Sequence, residues 1–147
     1  MITNYLLYIS IILFSILIME VIAIFTHKYI MHGPGWFLHK SHHINYLNNK
    51  RKFELNDIYF IFFSSPSIIC MIYGFYYNND IVFTIGVGIS MYGLIYVFLH
   101  DVMVHQRFGI KIKINNYYFK KIKKAHLKHH SIKKKNGATN FGFITYK

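Results

Sequence analysis

Three stretches of this chain are long and apolar enough to cross a lipid bilayer, and the polar residues lie between and after them. Tyr5 to Thr26, Ile58 to Tyr77 and Ile81 to Leu99 each supply the roughly 20 mostly apolar residues that a spanning helix needs at about 1.5 Å rise per residue. The first contains one charge, Glu20. The second carries Ser64-Ser65-Pro66-Ser67, a candidate kink, and the third has Gly86, Gly88 and Gly93, which allow helices to approach closely. Gly33-Pro34-Gly35 is expected to end the first helix. Trp36 to Tyr46 reads as a short interfacial helix and Asn48 to Lys52 as a polar loop, with Asn56 or Asp57 capping the second span. After the third span, Ile110 to Ile114 alternates apolar and basic residues and fits a short strand or an interfacial coil. Tyr117 to His130 reads as a basic amphipathic helix lying against headgroups. The expected fold is an all-α integral membrane protein with three transmembrane helices, or four if an interfacial helix dips through. It is expected to form a single domain over residues 1–147.

Charge sharpens this picture. No Lys or Arg occurs in residues 1–26 or 58–99, and all 17 lie in 27–57 and 100–147. A soluble protein scatters charge over its whole surface. The excess of basic residues in cytoplasmic loops places 27–57 and 100–147 in the cytoplasm, with the N-terminus and the Asn78-Asn79-Asp80 turn outside a cell inner membrane. The first segment has no basic residue before it and is not read as a signal peptide. The net charge of +12 would also suit a nucleic-acid binder, but no nucleic-acid motif accompanies it. The single cysteine, Cys70, excludes an intrachain disulfide and a cysteine-rich metal site. It reads as a small core residue.

All ten histidines fall in four clusters on the predicted cytoplasmic side. His39, His42 and His43 share the spacing H-x-x-H-H with His126, His129 and His130. At about 100° per residue, positions i, i+3 and i+4 of a helix lie on one face, so two or three rings can converge on one metal. His27 and His32 share H-x-x-x-x-H with His100 and His105. Five residues turn roughly 500°, about 140° off a full turn, so such pairs meet a metal only at a helix end or where a turn unwinds. Both pairs follow a predicted span. Ten imidazoles exceed one tetrahedral zinc site and suit two metals of higher coordination number. Of the metals that imidazole suits, iron can activate O₂ for attack on an unactivated C–H bond. Two acidic residues are candidates for orienting rings or relaying protons. Glu20 lies seven residues, about two helical turns, before His27. Asp101 lies four residues before His105 and can take an imidazole N–H.

At these residues the chain resembles the fatty acid hydroxylase superfamily of membrane di-iron oxygenases, and more closely the bacterial β-carotene 3-hydroxylases. The resemblance rests on Met19-Glu20-Val21-Ile22-Ala23, His27 to Gly33, Gly35-Trp36, His39 and Ser41-His42-His43. It continues through Phe53-Glu54, Asn56-Asp57, Tyr59, Tyr92-Gly93-Leu94, Tyr96, His100-Asp101 and Val104 to Arg107. Ala125-His126, His129-His130, Gly137 and Phe141-Gly142-Phe143 complete it, from about residue 19 to 144. The chain departs from the family at Val102, Ile44-Asn45 and Asn140, and none of these is a proposed ligand. The resemblance implies hydroxylation of carbon 3 of a β-ionone ring, turning β-carotene through β-cryptoxanthin to zeaxanthin. It implies two iron ions, O₂ as co-substrate, and electrons from reduced ferredoxin and ultimately NAD(P)H. A fatty acid or sterol hydroxylase or desaturase on the same scaffold is the nearest alternative. A histidine-rich metal transporter is remote, because its spans would carry a polar pathway.

Overall fold

The computed structural model describes residues 2–44 and 53–146, and the expected polar loop at Asn48 to Lys52 lies outside them. Five α-helices follow in order: α1 (Ile2–Phe25), α2 (Trp36–Ile44), α3 (Ile58–Tyr76), α4 (Asp80–Tyr96) and α5 (Tyr117–His130). Two π-helical segments, Thr26–Met31 and Val97–Val104, continue α1 and α4, and short 3₁₀ turns lie at Leu55–Asp57 and Arg107–Gly109. Among the described residues there is no strand, so the alternating stretch after the third span is coil. Three helical runs, Asn4–Met31, Leu55–Tyr76 and Asp80–Val104, are long and apolar enough to cross a membrane.

Residues divide into two compact units. The first comprises Met1–Met19 and Tyr59–Ile95. Its outer faces carry large apolar side chains such as Leu13, Phe14, Ile61, Phe62 and Leu94, as a lipid-facing surface requires. Polar contacts tie its helices to one another. Tyr8 donates to Asp80 at 3.0 Å, and the Ser67 hydroxyl bonds the Gly86 carbonyl at 2.7 Å and the Ser90 hydroxyl at 2.6 Å. Pro66 lacks the N–H that would bond the Phe62 carbonyl, and the Ser65 hydroxyl donates to that oxygen instead at 3.2 Å.

Small residues set how closely the helices of this unit approach. A Cβ on Gly74 would lie 2.5 Å from the Phe83 nitrogen, and one on Gly86 would lie 2.8 Å from the Ser67 carbonyl oxygen. Both obstacles are backbone, so Gly86→Ala should push α3 and α4 apart and destabilise the protein by about 1–3 kcal/mol. Gly93, with nothing near its Cβ direction, should tolerate Ala. Thermal unfolding in detergent checks the pair, and equal melting temperatures for the two variants would refute the packing argument.

The second unit comprises Glu20–Ile58 and Tyr96–Lys147. It holds the two π segments, α2, α5 and the irregular tail after α5. Asn116 starts α5, its side chain accepting from Tyr118 N and Phe119 N. Ile122, His126, His129 and His130 form the buried face of α5, while Lys120, Lys124 and Lys128 are exposed. The helix entry at residues 54–57 uses Asp57, whose carboxylate accepts from the Glu54 backbone N–H at 2.9 Å. Asn56, the other expected cap, instead turns its side chain to His39.

Candidate metal centre

The ten histidines gather within the second unit as two groups of five, each able to hold a metal ion. His27, His32, His39, His43 and His129 form one; His42, His100, His105, His126 and His130 form the other. Within each group the candidate ligand atoms lie within 4.8 Å of one another, and all ten residues are buried.

Local helix geometry explains the partition. In the π segments the backbone closes from i to i+5, with His32 N on His27 O and His105 N on His100 O, each at 3.0 Å. That wider turn removes the mismatch an α-helix imposes on H-x-x-x-x-H, and each pair meets at one centre. In α2, His39 and His43 are four residues apart and share the first group, while His42 crosses to the second. In α5, His126 and His130 share the second group, while His129 crosses to the first. Neighbouring residues differ by about 100° around a helix, so His42 and His43 cannot aim at one point. Each group therefore combines a π-segment pair, an i,i+4 pair and one ring from the remaining helix. The groups touch, with the His43 and His130 rings stacked at 4.4 Å.

The rings are held in one orientation by their second nitrogens. In the first group, Nδ1–H donates to the carbonyls of Phe141 (from His27, 3.0 Å), Lys135 (His32, 2.8 Å), Ile132 (His43, 2.9 Å) and Thr139 (His129, 2.8 Å). His39 donates to Asn56 Oδ1 at 2.6 Å. In the second group, His42 donates to Glu54 at 2.8 Å and His100 to Asp101 at 2.7 Å. A carbonyl can only accept, so these rings carry their proton on Nδ1 and present a lone pair at Nε2. The Nε2 atoms then face one another: His27 and His39 at 3.2 Å, His32 and His129 at 3.1 Å, His42 and His100 at 3.1 Å.

Burial disfavours protonation of the rings of α2 and α5. Desolvation, reinforced by neighbouring imidazoles, holds His39, His42, His126 and His130 well below the ordinary histidine range. It brings His43 down to about 4 and His129 to about 3. Neutral rings with converging lone pairs repel one another until a cation lies between them, so this donor set fits a metal ion in each group.

The acidic residues behave differently from one another. Asp101 accepts the hydrogen bond from His100 Nδ1–H and lies 3.4 Å from Arg107, whose guanidinium forms a bidentate pair with Asp57 at 2.9 and 2.7 Å. Those carboxylates hold Arg107 firmly charged. Glu20 is buried, and its Oε1 accepts from the backbone of Phe143, Ile144 and Thr145 and from the Thr145 hydroxyl, at 2.8 to 3.0 Å. Its bonds thus go to the tail. The Phe143 ring in turn stacks on His27, 5.3 Å away and nearly parallel.

The tail is what residue patterns missed. Four of the five rings of the first group rest on its main-chain carbonyls, which no residue type marks. The Phe141 ring of this tail lies edge-on against His27, His32 and His129. A Cβ on Gly142 would lie 2.7 Å from the Thr145 carbonyl oxygen and 2.8 Å from Glu20 Oε1, so only glycine fits this fold of the tail.

Sequence comparison finds relatives over most of the chain. The fatty acid hydroxylase family model matches residues 12–147. The β-carotene hydroxylase of Pantoea ananas is 41% identical over 126 residues, covering 86% of this chain and 70% of that protein. That of Pseudescherichia vulneris is 40% identical over 134 residues, covering 91% and 74%. The chloroplastic β-carotene hydroxylase 2 of Capsicum annuum is 38% identical over 118 residues, covering 78% of this chain and 37% of that protein. No solved structure matches this chain. Since the match takes in both spacings of the histidine clusters and nearly the whole chain, the protein belongs to the fatty acid hydroxylase family.

Proposed function

We propose that this chain hydroxylates carbon 3 of the β-ionone rings of a carotenoid, converting β-carotene through β-cryptoxanthin to zeaxanthin. The observation that carries the reading is the pair of five-imidazole groups, buried side by side, in a chain 41% identical to a β-carotene hydroxylase. His27, His32, His39, His43 and His129 would hold one iron ion, and His42, His100, His105, His126 and His130 the other. Two irons so held supply the O₂ chemistry that puts one oxygen atom into a C–H bond and releases the other as water, with two electrons and two protons drawn from outside.

The protein's own part is positioning. The seven described Nδ1 bonds fix ring rotation and tautomer before any metal arrives. Burial keeps bulk water from the centre. Trp36, packed on His32 and His43 at 5.1 and 5.3 Å, helps exclude water. The whole chain acts as one domain in this reading. The segregated basic residues support a cytoplasmic location for the metal centre at a cell inner membrane. The same basic face suits an acidic ferredoxin-type donor supplied by NAD(P)H, since opposite charge speeds encounter.

Expression in a β-carotene-producing cell, followed by pigment chromatography, tests the proposal. Zeaxanthin should accumulate. Purified protein stripped with an iron chelator should lose conversion and regain it with Fe(II) but not Zn(II), because zinc has no redox chemistry. Unchanged β-carotene beside a hydroxylated fatty acid or sterol would overturn the substrate assignment.

A further inference from the structure

The two histidine groups have different electrostatic surroundings. All five Nδ1 acceptors in the first group are neutral oxygens: four main-chain carbonyls and the Asn56 amide. In the second group, the acceptors of His42 and His100 are the carboxylates of Glu54 and Asp101. Asp57 joins them through its bond to the Glu54 backbone and its pair with Arg107. Three carboxylates and one guanidinium therefore lie behind the second group, a formal charge of about −2. All four side chains are buried or partly buried, where screening is weak.

A carboxylate that accepts an imidazole N–H makes the opposite nitrogen more electron-rich, and an amide or carbonyl does so less. We infer that the two metal positions are unequal: the carboxylate-backed group, centred on His42 and His100, binds its metal ion first and more tightly than the carbonyl-backed group. Arg107 limits the asymmetry without cancelling it. It anchors Asp57 and Asp101 in place and offsets one of the three negative charges. The inference rests on the proposal that the ten histidines hold two metal ions.

Metal titration of the stripped, detergent-solubilised protein reads the difference directly. With Fe(II) in a metal buffer and bound iron counted per chain, wild type should fill in two steps separated by at least tenfold. In ⁵⁷Fe Mössbauer spectra of the protein loaded with one equivalent, a single ferrous doublet should dominate, and a second should grow with the second equivalent. Asp101→Asn should weaken the first step by about 10–100-fold and leave the second unchanged. Asn56→Asp places a carboxylate behind His39 at nearly constant volume, and it should strengthen the second step until the two merge. Two irons per chain bound in one indistinguishable step in wild type would overturn the inference and leave the two-metal reading standing. So would two equal losses in Asp101→Asn. Failure to bind two irons at all would overturn both. Asn56→Asp gains affinity, so it cannot be mistaken for a folding defect.

Discussion

Replacing His129 by Ala should abolish carotene conversion and lower bound iron from two ions per chain toward one. The Nε2 atom of His129 lies 3.1 Å from those of both His32 and His43, at the middle of the first group, and the residue is fully buried. Its loss removes one of five nitrogens and the hydrogen bond to the Thr139 carbonyl. Losing a ring's outer partner alone typically costs 10–100-fold in metal affinity or activity, so losing the ring itself should cost at least about 100-fold. The effect should be local. His42, His100, His105, His126 and His130 keep their places, and one ion should remain. Pigment chromatography and iron analysis on the same preparation check both halves. Zeaxanthin at the wild-type yield from His129→Ala would remove the basis for the assigned ligand set.

Why some of this was legible in the sequence and some not follows from the range of each interaction. Spanning helices announce themselves because lipid demands long apolar runs, and the three predicted spans match the helical runs in the structure. The pairing of His39 with His43 and of His126 with His130 follows from helical periodicity. The same rule let the i+3 ring join them, whereas His42 and His129 each turn to the other group. His27 with His32, and His100 with His105, violate α-helical spacing by about 140°, which marked those turns as irregular. The π geometry that resolves the violation is a backbone property and has no residue signature of its own. Chain distance hid more. Glu20 is seven residues from His27, and its Oε1 also holds backbone more than 120 residues away. Nor can composition reveal that the carbonyls of Ile132, Lys135, Thr139 and Phe141 would support four rings, since every residue has a carbonyl.

That long-range contact makes Glu20 the most informative residue outside the histidines. Glu20→Ala should release the tail and cut carotene conversion by at least tenfold while the helices stay folded. The carboxylate gathers three backbone N–H groups and one hydroxyl on a single oxygen, a set of charge-assisted bonds in a partly buried setting. Leaving a buried donor unsatisfied costs about 1–3 kcal/mol, and three backbone donors are stranded at once, so the tail should leave its place rather than endure it. Its departure would take the Phe141 carbonyl from His27 and the Phe143 ring from the His27 face. Glu20→Gln keeps the shape and one accepting oxygen but loses the charge, so it should fall between Ala and wild type. Gly142→Ala, whose Cβ would press on the same oxygen, should resemble Glu20→Ala with the carboxylate intact. Amide hydrogen exchange over residues 141–146 reads the release directly. It should rise in Ala and Gly142→Ala, rise less in Gln, and stay unchanged in the core of α4. If Glu20→Ala lost activity with the tail still protected, the carboxylate would be acting on the rings or on protons instead of holding the tail. If it kept both activity and protection, the buried charge would have no role in shaping the centre.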